Sequence, residues 1–154
     1  MTGAPGAGGA DAAPERTPSP LTREEVERAA GALVAAFAAT DTQAYFDAFA
    51  PEADFVFHSE PGRLADRASY ERLWAGWLAA GWRVLSCESS GGVVRLCGEA
   101  AVFVHDVRTT TETDGVAETT AERETIVFHR TADGSVTAVH EHLSPVPPTA
   151  EATT

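Results

Sequence analysis

Three residues with acid or base chemistry lie in apolar, strand-like segments of the second half of the chain: His105, Glu124 and Glu141. If they meet in an apolar pocket, the two like charges raise one carboxyl pKa and a nearby imidazolium lowers it again. Such a set can transfer a proton near neutral pH. We therefore predict these residues as catalytic candidates, with a buried structural cluster as the alternative. His58, at the end of an earlier strand, is a fourth candidate base, and a surface histidine is the simpler interpretation of it.

Two hairpin turns determine whether these residues meet. The Asp-Gly pairs at 114–115 and 133–134 are typical of tight hairpins. Pairing across the first turn places His105 opposite Glu124, and pairing across the second places Glu124 opposite Glu141. The three side chains would then share one sheet face. A slip of one residue in either register would move them to the other face.

Apolar residues of the same face and of a helix are expected to line the pocket. A cavity of this kind binds its ligand mainly through hydrophobic and aromatic side chains. The aromatic stripe at positions 70, 74 and 77 has helical spacing, which is more often a core pattern than a ligand platform. The predicted substrate-binding residues are Phe57, Trp74, Trp77, Phe103, Ile126 and Leu143.

His140 and His142 alternate on one strand, so their imidazoles point the same way and could share a metal ion. His129 on the neighbouring strand could join them. The predicted register puts them, with Ala138, on the face opposite the pocket, and Val139 on the pocket face. No carboxylate or thiol completes the set there, so a contact between two copies of the chain is the favoured interpretation. We predict no metal and no cofactor.

Three helices and a run of strands must position these side chains. The first helix begins with a capping box, Thr22-x-x-Glu25, and a short second helix follows Asp41 and is expected to end at Pro51. A strand over 54–58 precedes a third helix that runs from about Arg67 to Gly81. The apolar period then changes to two, which predicts strands at 82–90, 93–97, 100–111, 118–130 and 136–144. The order predicts an α+β fold with three N-terminal helices on a mostly antiparallel sheet.

Composition excludes several classes of function. The formal net charge is −12, which disfavours nucleic acids and anionic membranes as partners. All 11 basic residues are arginine, so Schiff-base chemistry on lysine is excluded. Cys87 and Cys97 have neither zinc-site nor redox-motif spacing.

The ends of the chain differ from its middle. Residues 1–20 are rich in glycine, alanine and proline and predict a disordered arm, and residues 146–154 predict a flexible tail. The folded domain is expected over 21–145. No apolar run is long enough to span a membrane and no signal peptide is recognised, so we expect a cytoplasmic protein.

Three strings resemble the SnoaL-like branch of the nuclear-transport-factor-2-like superfamily: AATDTQAYFDAFAPEADFVF at 38–57, RETIVF at 123–128 and ADGSVTAVHEHLS at 132–144. The last is also similar to the end of kinase association domains that share the fold. The resemblance implies a strongly curved sheet that forms a cone with an internal pocket, and a homodimer. It does not imply ketosteroid isomerase chemistry, because the positions that correspond to the isomerase residues hold Leu33, Phe57 and Ile126.

Three hypotheses of function follow. The first is a domain that binds a small, mainly apolar molecule and acts as a cofactor-independent isomerase, cyclase or dehydratase through histidine and glutamate. The second is a non-catalytic ligand-binding or oligomerisation domain, which the missing isomerase residues favour. The third is a histidine-based metal protein.

Overall fold

The computed structural model describes Thr17 and residues 19–149. Three helices come first: α1 (Arg23–Ala38), α2 (Thr42–Asp47) and α3 (Arg67–Ala79). The predicted capping box at the start of α1 is present, with Thr22 and Glu25 bonding each other's backbone N–H groups. No helix in the described ranges is long and apolar enough to cross a membrane.

Within the described residues, five strands form one sheet: β1 (Phe49–Phe57), β2 (Trp82–Cys97), β3 (Ala100–Thr113), β4 (Val116–Arg130) and β5 (Val136–Pro145). Their order is β1-β5-β4-β3-β2. Only the β1–β5 pair is parallel. The helices lie against the inner face of this curved sheet, and the predicted α+β cone is confirmed.

Three predicted elements were wrong at their boundaries. The strand predicted over 54–58 is β1, which begins at Phe49 and ends at Phe57. Pro51 does not end α2, because that helix ends at Asp47 and Pro51 lies inside β1. Strands predicted separately at 82–90 and 93–97 are one strand, β2, with an irregularity between Ser90 and Val93. A bulge therefore lies where the prediction left a break between two strands.

The β3–β4 register is the predicted one, and it runs without a break from Ala100 opposite His129 to Thr113 opposite Val116. The predicted β4–β5 register was wrong. Glu141 lies opposite Ile126, and Glu124 lies opposite Leu143.

The β4–β5 error has two parts. The turn end is offset by one residue, so Arg130 pairs with Val136 and Ala138 faces inward, fully buried. A bulge at Val139 then adds a second residue before His140. The two offsets add up to a shift of two residues, which returns a side chain to the same face of the sheet. Glu141 and Leu143 therefore keep the predicted inner face, whereas the faces predicted for Ala138 and Val139 are exchanged.

The end of the predicted N-terminal arm contacts the domain where the structure describes it. Arg130 donates to the carbonyl oxygens of Ser19 and Pro20, and Leu21 is buried with its N–H bonded to the Gly98 carbonyl. The other predicted arm residues, 1–16 and 18, lie outside the described residues, as do residues 150–154 of the predicted tail.

Candidate functional site

A cavity of about 500 Å³ lies between the three helices and the inner face of the sheet. Its helical wall is aromatic and aliphatic, and its strand wall is mixed. Glutamates from β4 and β5 project into it beside threonines of β3. The lining residues are Leu33, Val34, Phe37, Tyr45, Phe57, His58, Ser59, Glu60, Tyr70, Trp77, Trp82, Cys87, Val107, Thr109, Thr111, Thr113, Glu118, Thr120, Glu122, Glu124, Glu141 and Leu143.

Glu141 is the most buried carboxyl group in the cavity wall, with 3% of its surface exposed. Tyr45 donates a hydrogen bond to its Oε2 atom over 3.2 Å. The Tyr45 and Tyr70 hydroxyl oxygens lie 3.2 Å apart, which extends the network along the helical wall. Two helices thus present phenol groups to a carboxyl group on β5.

Burial raises the pKa of Glu141 well above its ordinary range, and the charge of Glu124 and a hydrogen bond with it act in the same direction. The hydrogen bond from Tyr45 offsets only part of this rise. Burial also raises the pKa of Tyr45 and Tyr70, and the charge of Glu141 adds to it. The network therefore favours neutral phenols and the acid form of Glu141, and a protonated carboxyl group at this position can give a proton to a bound molecule.

Glu124 connects the cavity to a buried imidazole behind it. His105 Nε2 lies 2.8 Å from Glu124 Oε1, and the His105 side chain has no exposed surface. The other ring nitrogen, Nδ1, lies 2.6 Å from Ser89 Oγ on β2. His105 does not line the large cavity, so it can act on a molecule there only through Glu124.

The cavity mouth carries a second histidine–glutamate pair. His58 Nε2 lies 2.5 Å from Glu122 Oε2, and both residues line the cavity. The His58 side chain is 38% exposed and that of Glu122 is 15% exposed. His58 is thus the more exposed partner of the pair and contacts β4 through Glu122.

The predicted lining residues separate into three groups. Phe57, Trp77 and Leu143 line the cavity. Trp74 and Ile126 belong to the closed core, with 1% and 0% exposure. Phe103 lines a second cavity, described below.

His140 and His142 lie on the outer sheet face, where His140 Nδ1 contacts Asp54 Oδ1 over 2.7 Å. The sequence reading did not anticipate this carboxylate, which β1 supplies through its parallel pairing with β5. Burial alone would raise the Asp54 pKa, but hydrogen bonds from His140 and Arg63 outweigh it and lower the pKa. Within the described part of the chain, no group of three His, Cys, Asp or Glu residues is placed to hold a metal ion.

Comparison with known protein families identifies the domain. The family model described as a SnoaL-like domain matches residues 26–148. The chain belongs to the SnoaL-like family. No curated protein matches it.

Solved structures with low sequence identity share the fold of this SnoaL-like domain. An NTF2-like protein of unknown function from Rhodospirillum rubrum is 22% identical, with a TM-score of 0.69 over 79% of this chain and 98% of that one. An NTF2-like protein from Streptomyces avermitilis, described as a candidate dehydratase, is 20% identical, with a TM-score of 0.69 over 81% and 96%. A candidate calmodulin-dependent kinase association domain from Exiguobacterium sibiricum is 12% identical, with a TM-score of 0.69 over 82% and 94%.

Sequence reasoning missed four polar residues of this SnoaL-like domain: Tyr45, Tyr70, Ser89 and Glu122. Both tyrosines belong to apolar helical stripes, and no local signal separates a phenol that bonds a carboxyl group from one that fills the core. Glu122 and Ser89 could have been found from the alternation of β4 and β2, since they share the inner face with Glu124 and Cys87.

Proposed function

We propose that this domain binds a small, mainly apolar molecule in the large cavity and that Glu141 acts there as a general acid. The reaction class is a cofactor-independent isomerisation, cyclisation or dehydration. The observation that carries the proposal is the buried Glu141 carboxyl group, which Tyr45 holds in a cavity wall whose other side is aromatic. A neutral acid in an apolar site keeps its proton until a bound substrate takes it.

Glu124 and His105 are assigned supporting roles. When Glu141 gives up its proton, a second negative charge appears beside Glu124. The imidazole of His105 lies 2.8 Å from Glu124 and holds that carboxylate in place by a hydrogen bond. Glu124 would then contact the ligand side of the cavity, and His105 would act as a positioning residue behind it. His58 at the mouth is proposed as a contact residue, because it lies at the entrance.

Tryptophan fluorescence offers a direct binding test, since Trp77 and Trp82 both line the cavity. We would titrate a panel of cyclic ketones, secondary alcohols and phenols and follow emission and thermal stability. Ligands that bind in the cavity are expected to change emission and raise the melting temperature. If no compound of the panel affects either signal, the binding proposal fails.

Glu141→Gln separates binding from chemistry. The variant keeps the shape of the carboxyl group but cannot give up the acid proton. For any compound of the panel that is converted, we expect turnover to fall by on the order of 100-fold or more while the dissociation constant changes little. Glu88→Gln, an exposed change outside the cavity lining, is the matched control. Unchanged turnover in Glu141→Gln would assign the domain to ligand binding without catalysis.

We further propose a homodimer formed through the outer sheet face. Four valines there remain partly or largely exposed: Val93, Val102, Val104 and Val127. They form one patch, because Val93 pairs with Val104 and Val102 pairs with Val127. Burying such a patch against a second copy would remove apolar surface from water.

Light scattering coupled to gel filtration tests this proposal. We expect twice the mass of the 16.2 kDa chain for the wild type and a monomer for Val104→Glu. Val116→Glu, which changes a 72% exposed valine outside the patch, should leave the mass unchanged. A wild-type monomer at micromolar concentration would refute the dimer, and a larger assembly would favour the oligomerisation hypothesis.

A further inference from the structure

Hydrogen bonds join Ser89, His105 and Glu124 into a chain that runs from a second cavity to the large one. Ser89 Oγ lies 2.6 Å from His105 Nδ1, and His105 Nε2 lies 2.8 Å from Glu124 Oε1. Because a carboxylate accepts hydrogen bonds, the ring carries its proton on Nε2 and leaves the Nδ1 lone pair for the serine hydroxyl. A hydroxyl next to a base that a third group orients is the arrangement of an activated nucleophile.

The serine opens onto a second cavity of about 400 Å³ between α1 and the inner face of β2 and β3. Its walls are mostly small and apolar: Ala30, Gly31, Val34, Ala35, Ala38 and Phe103 line it. Ser89 is exposed to this space, whereas His105 is fully buried behind it. The large cavity does not include Ser89 in its lining, so the two ends of the line face different spaces.

A bulge in β2 brings glycine backbone to the same place. Between Ser90, opposite Asp106, and Val93, opposite Val104, both Gly91 and Gly92 face the single residue His105. Gly92 lines the second cavity, and a Cβ atom there would lie 3.1 Å from the Phe103 ring. A bulge releases backbone groups from the ladder, so the N–H groups of this segment can serve as donors to a ligand oxygen.

We propose that Ser89, His105 and Glu124 form a nucleophilic triad that hydrolyses small, uncharged esters of short acyl chains in the second cavity. Ser89 Oγ attacks the ester carbonyl carbon while its proton passes to His105 Nδ1. The carbon–oxygen bond to the alcohol breaks, and the imidazolium protonates that leaving oxygen. Water then repeats the sequence on the acyl-serine, which releases the acid and restores the hydroxyl. The Gly92 backbone N–H is assigned to the developing oxyanion.

The two ring nitrogens of His105 have exchanged partners relative to the common triad, in which the hydroxyl pairs with Nε2 and the carboxylate with Nδ1. The chemistry is the same, because either nitrogen of a neutral imidazole can be the base when the other carries the proton. The apolar lining and the Glu27 carboxylate in it favour a short, uncharged acyl group over an anionic one. This activity shares His105 and Glu124 with the proposed function but takes place in a different cavity, since Ser89 does not line the large one.

The test uses the full chain with p-nitrophenyl acetate and p-nitrophenyl butyrate. We expect release of p-nitrophenolate and, in rapidly quenched samples, an acetyl group on Ser89 by peptide mass spectrometry. Ser89→Ala should lower the rate by on the order of tenfold or more and remove the modified peptide. Ser90→Ala, the neighbouring serine that points to the other sheet face, should retain both.

Thermal unfolding of Ser89→Ala checks that the variant is folded, and the exposed position makes a large loss of stability unexpected. The proposal is overturned if the acetyl group is found on Cys87 or elsewhere but not on Ser89, or if Ser89→Ala releases p-nitrophenolate as fast as the wild type. Absence of hydrolysis in the wild type overturns it as well. None of these results bears on ligand binding in the large cavity, which tryptophan fluorescence reports independently.

Discussion

The carboxyl group of Glu141 lies in an apolar wall, where burial makes its ionisation costly in free energy. Ionising Glu141 would leave a second charge beside Glu124 in a space that water barely reaches. The Tyr45 hydrogen bond lowers this cost without removing it. Glu141 is therefore held in its acid form by the same burial that makes its proton useful, and the two effects can be measured separately.

Glu141→Gln is expected to stabilise the domain at neutral and alkaline pH. A pKa that folding raises contributes stability below the unfolded value, about 4.5, and this contribution is lost as pH increases toward the folded value. Glutamine has no charge to desolvate, so the gain in melting temperature should be small at pH 4 and grow up to pH 8. Calorimetry across this range measures it. A gain that is the same at every pH, or equal to that of Glu88→Gln, would contradict the assignment.

The contact between His105 and Glu124 could be predicted from the sequence because the hairpin at 114–115 fixes an unbroken register. The position of Glu141 opposite Ile126 could not be predicted, because no residue type indicates a bulge at Val139. Because the total shift is two residues, Glu141 nevertheless lies on the predicted inner face of the sheet. The role of Tyr45 could not be predicted for another reason. Its partner, Glu141, is 96 residues away in the chain, and no local pattern connects the two.

At the scale of elements, helix α3 has two roles on adjacent faces. Trp74 is 1% exposed, stacks on Tyr45 at 5.1 Å between ring centroids, and donates from Nε1 to Thr42. Trp77, three residues later, is only half-buried and lines the cavity. The stripe that the sequence presented as one pattern is therefore divided between core and ligand surface.

Alanine substitutions should separate these two roles. Trp74→Ala is expected to lower the free energy of unfolding by about 3–5 kcal/mol, because it empties a closed, packed site. Trp77→Ala should cost less, since its ring already faces an open space, but it should weaken ligand binding and diminish the fluorescence response. Urea denaturation measures the two losses of stability, and the ligand titration measures the change in binding. Equal losses of stability would show that the cavity wall is packed as tightly as the core.

The segment before α1 depends on one arginine of β4. Arg130 donates to the carbonyl oxygens of Ser19, Pro20 and Gly134 and contacts Glu25 over 2.8 Å. The planar guanidinium reaches all four acceptors, which a lysine ammonium cannot do. The capping box of α1 and the start of the described chain are thereby tied to the sheet.

Arg130→Lys should lower the free energy of unfolding by about 1–3 kcal/mol, because part-buried carbonyl groups lose their donors. Amide hydrogen exchange is expected to increase at Leu21, whose N–H bonds the Gly98 carbonyl. Arg95→Lys, on an exposed stretch of β2, is the matched control. If Arg130→Lys behaves like this control, the network does not hold the segment.

Low pH should break the hydrogen bond between Arg130 and Glu25. The hydrogen bond from Arg130, with further bonds from Thr22, lowers the pKa of Glu25 from 4.5 to about 2. The stability that this carboxylate contributes is complete above pH 4.5 and is lost as pH falls toward 2. Glu25→Gln should therefore flatten the acid side of the stability profile in calorimetry. An unchanged acid side would remove Glu25 from the network.

At the scale of the whole molecule, the order of elements was sufficient to predict the architecture. Three capped helices followed by hairpin-linked strands allow few arrangements other than a helix layer on one sheet. The charge distribution was harder to anticipate. The formal net charge of −12 was visible in the composition, but the clustering of glutamates inside the cavity depends on which strand face each one occupies.

Charge should make this cavity selective between ligands of equal size. Glu60, Glu118, Glu122, Glu124 and Glu141 line it, and its described lining contains no arginine. Tryptamine and indole-3-acetate share an aromatic ring and carry opposite charges, so they isolate the electrostatic contribution. One charge at contact distance near a protein surface is worth about 1–4 kcal/mol.

We therefore expect tryptamine to bind at least about tenfold more tightly than indole-3-acetate at low salt, measured by isothermal titration calorimetry. The difference should shrink as ionic strength increases, because salt screens the glutamates near the mouth. Glu122→Gln should reduce it, while Glu88→Gln, far from the lining, should not. Tighter binding of the carboxylate would mean that the cavity glutamates are protonated or turned away, and that apolar contact alone selects the ligand.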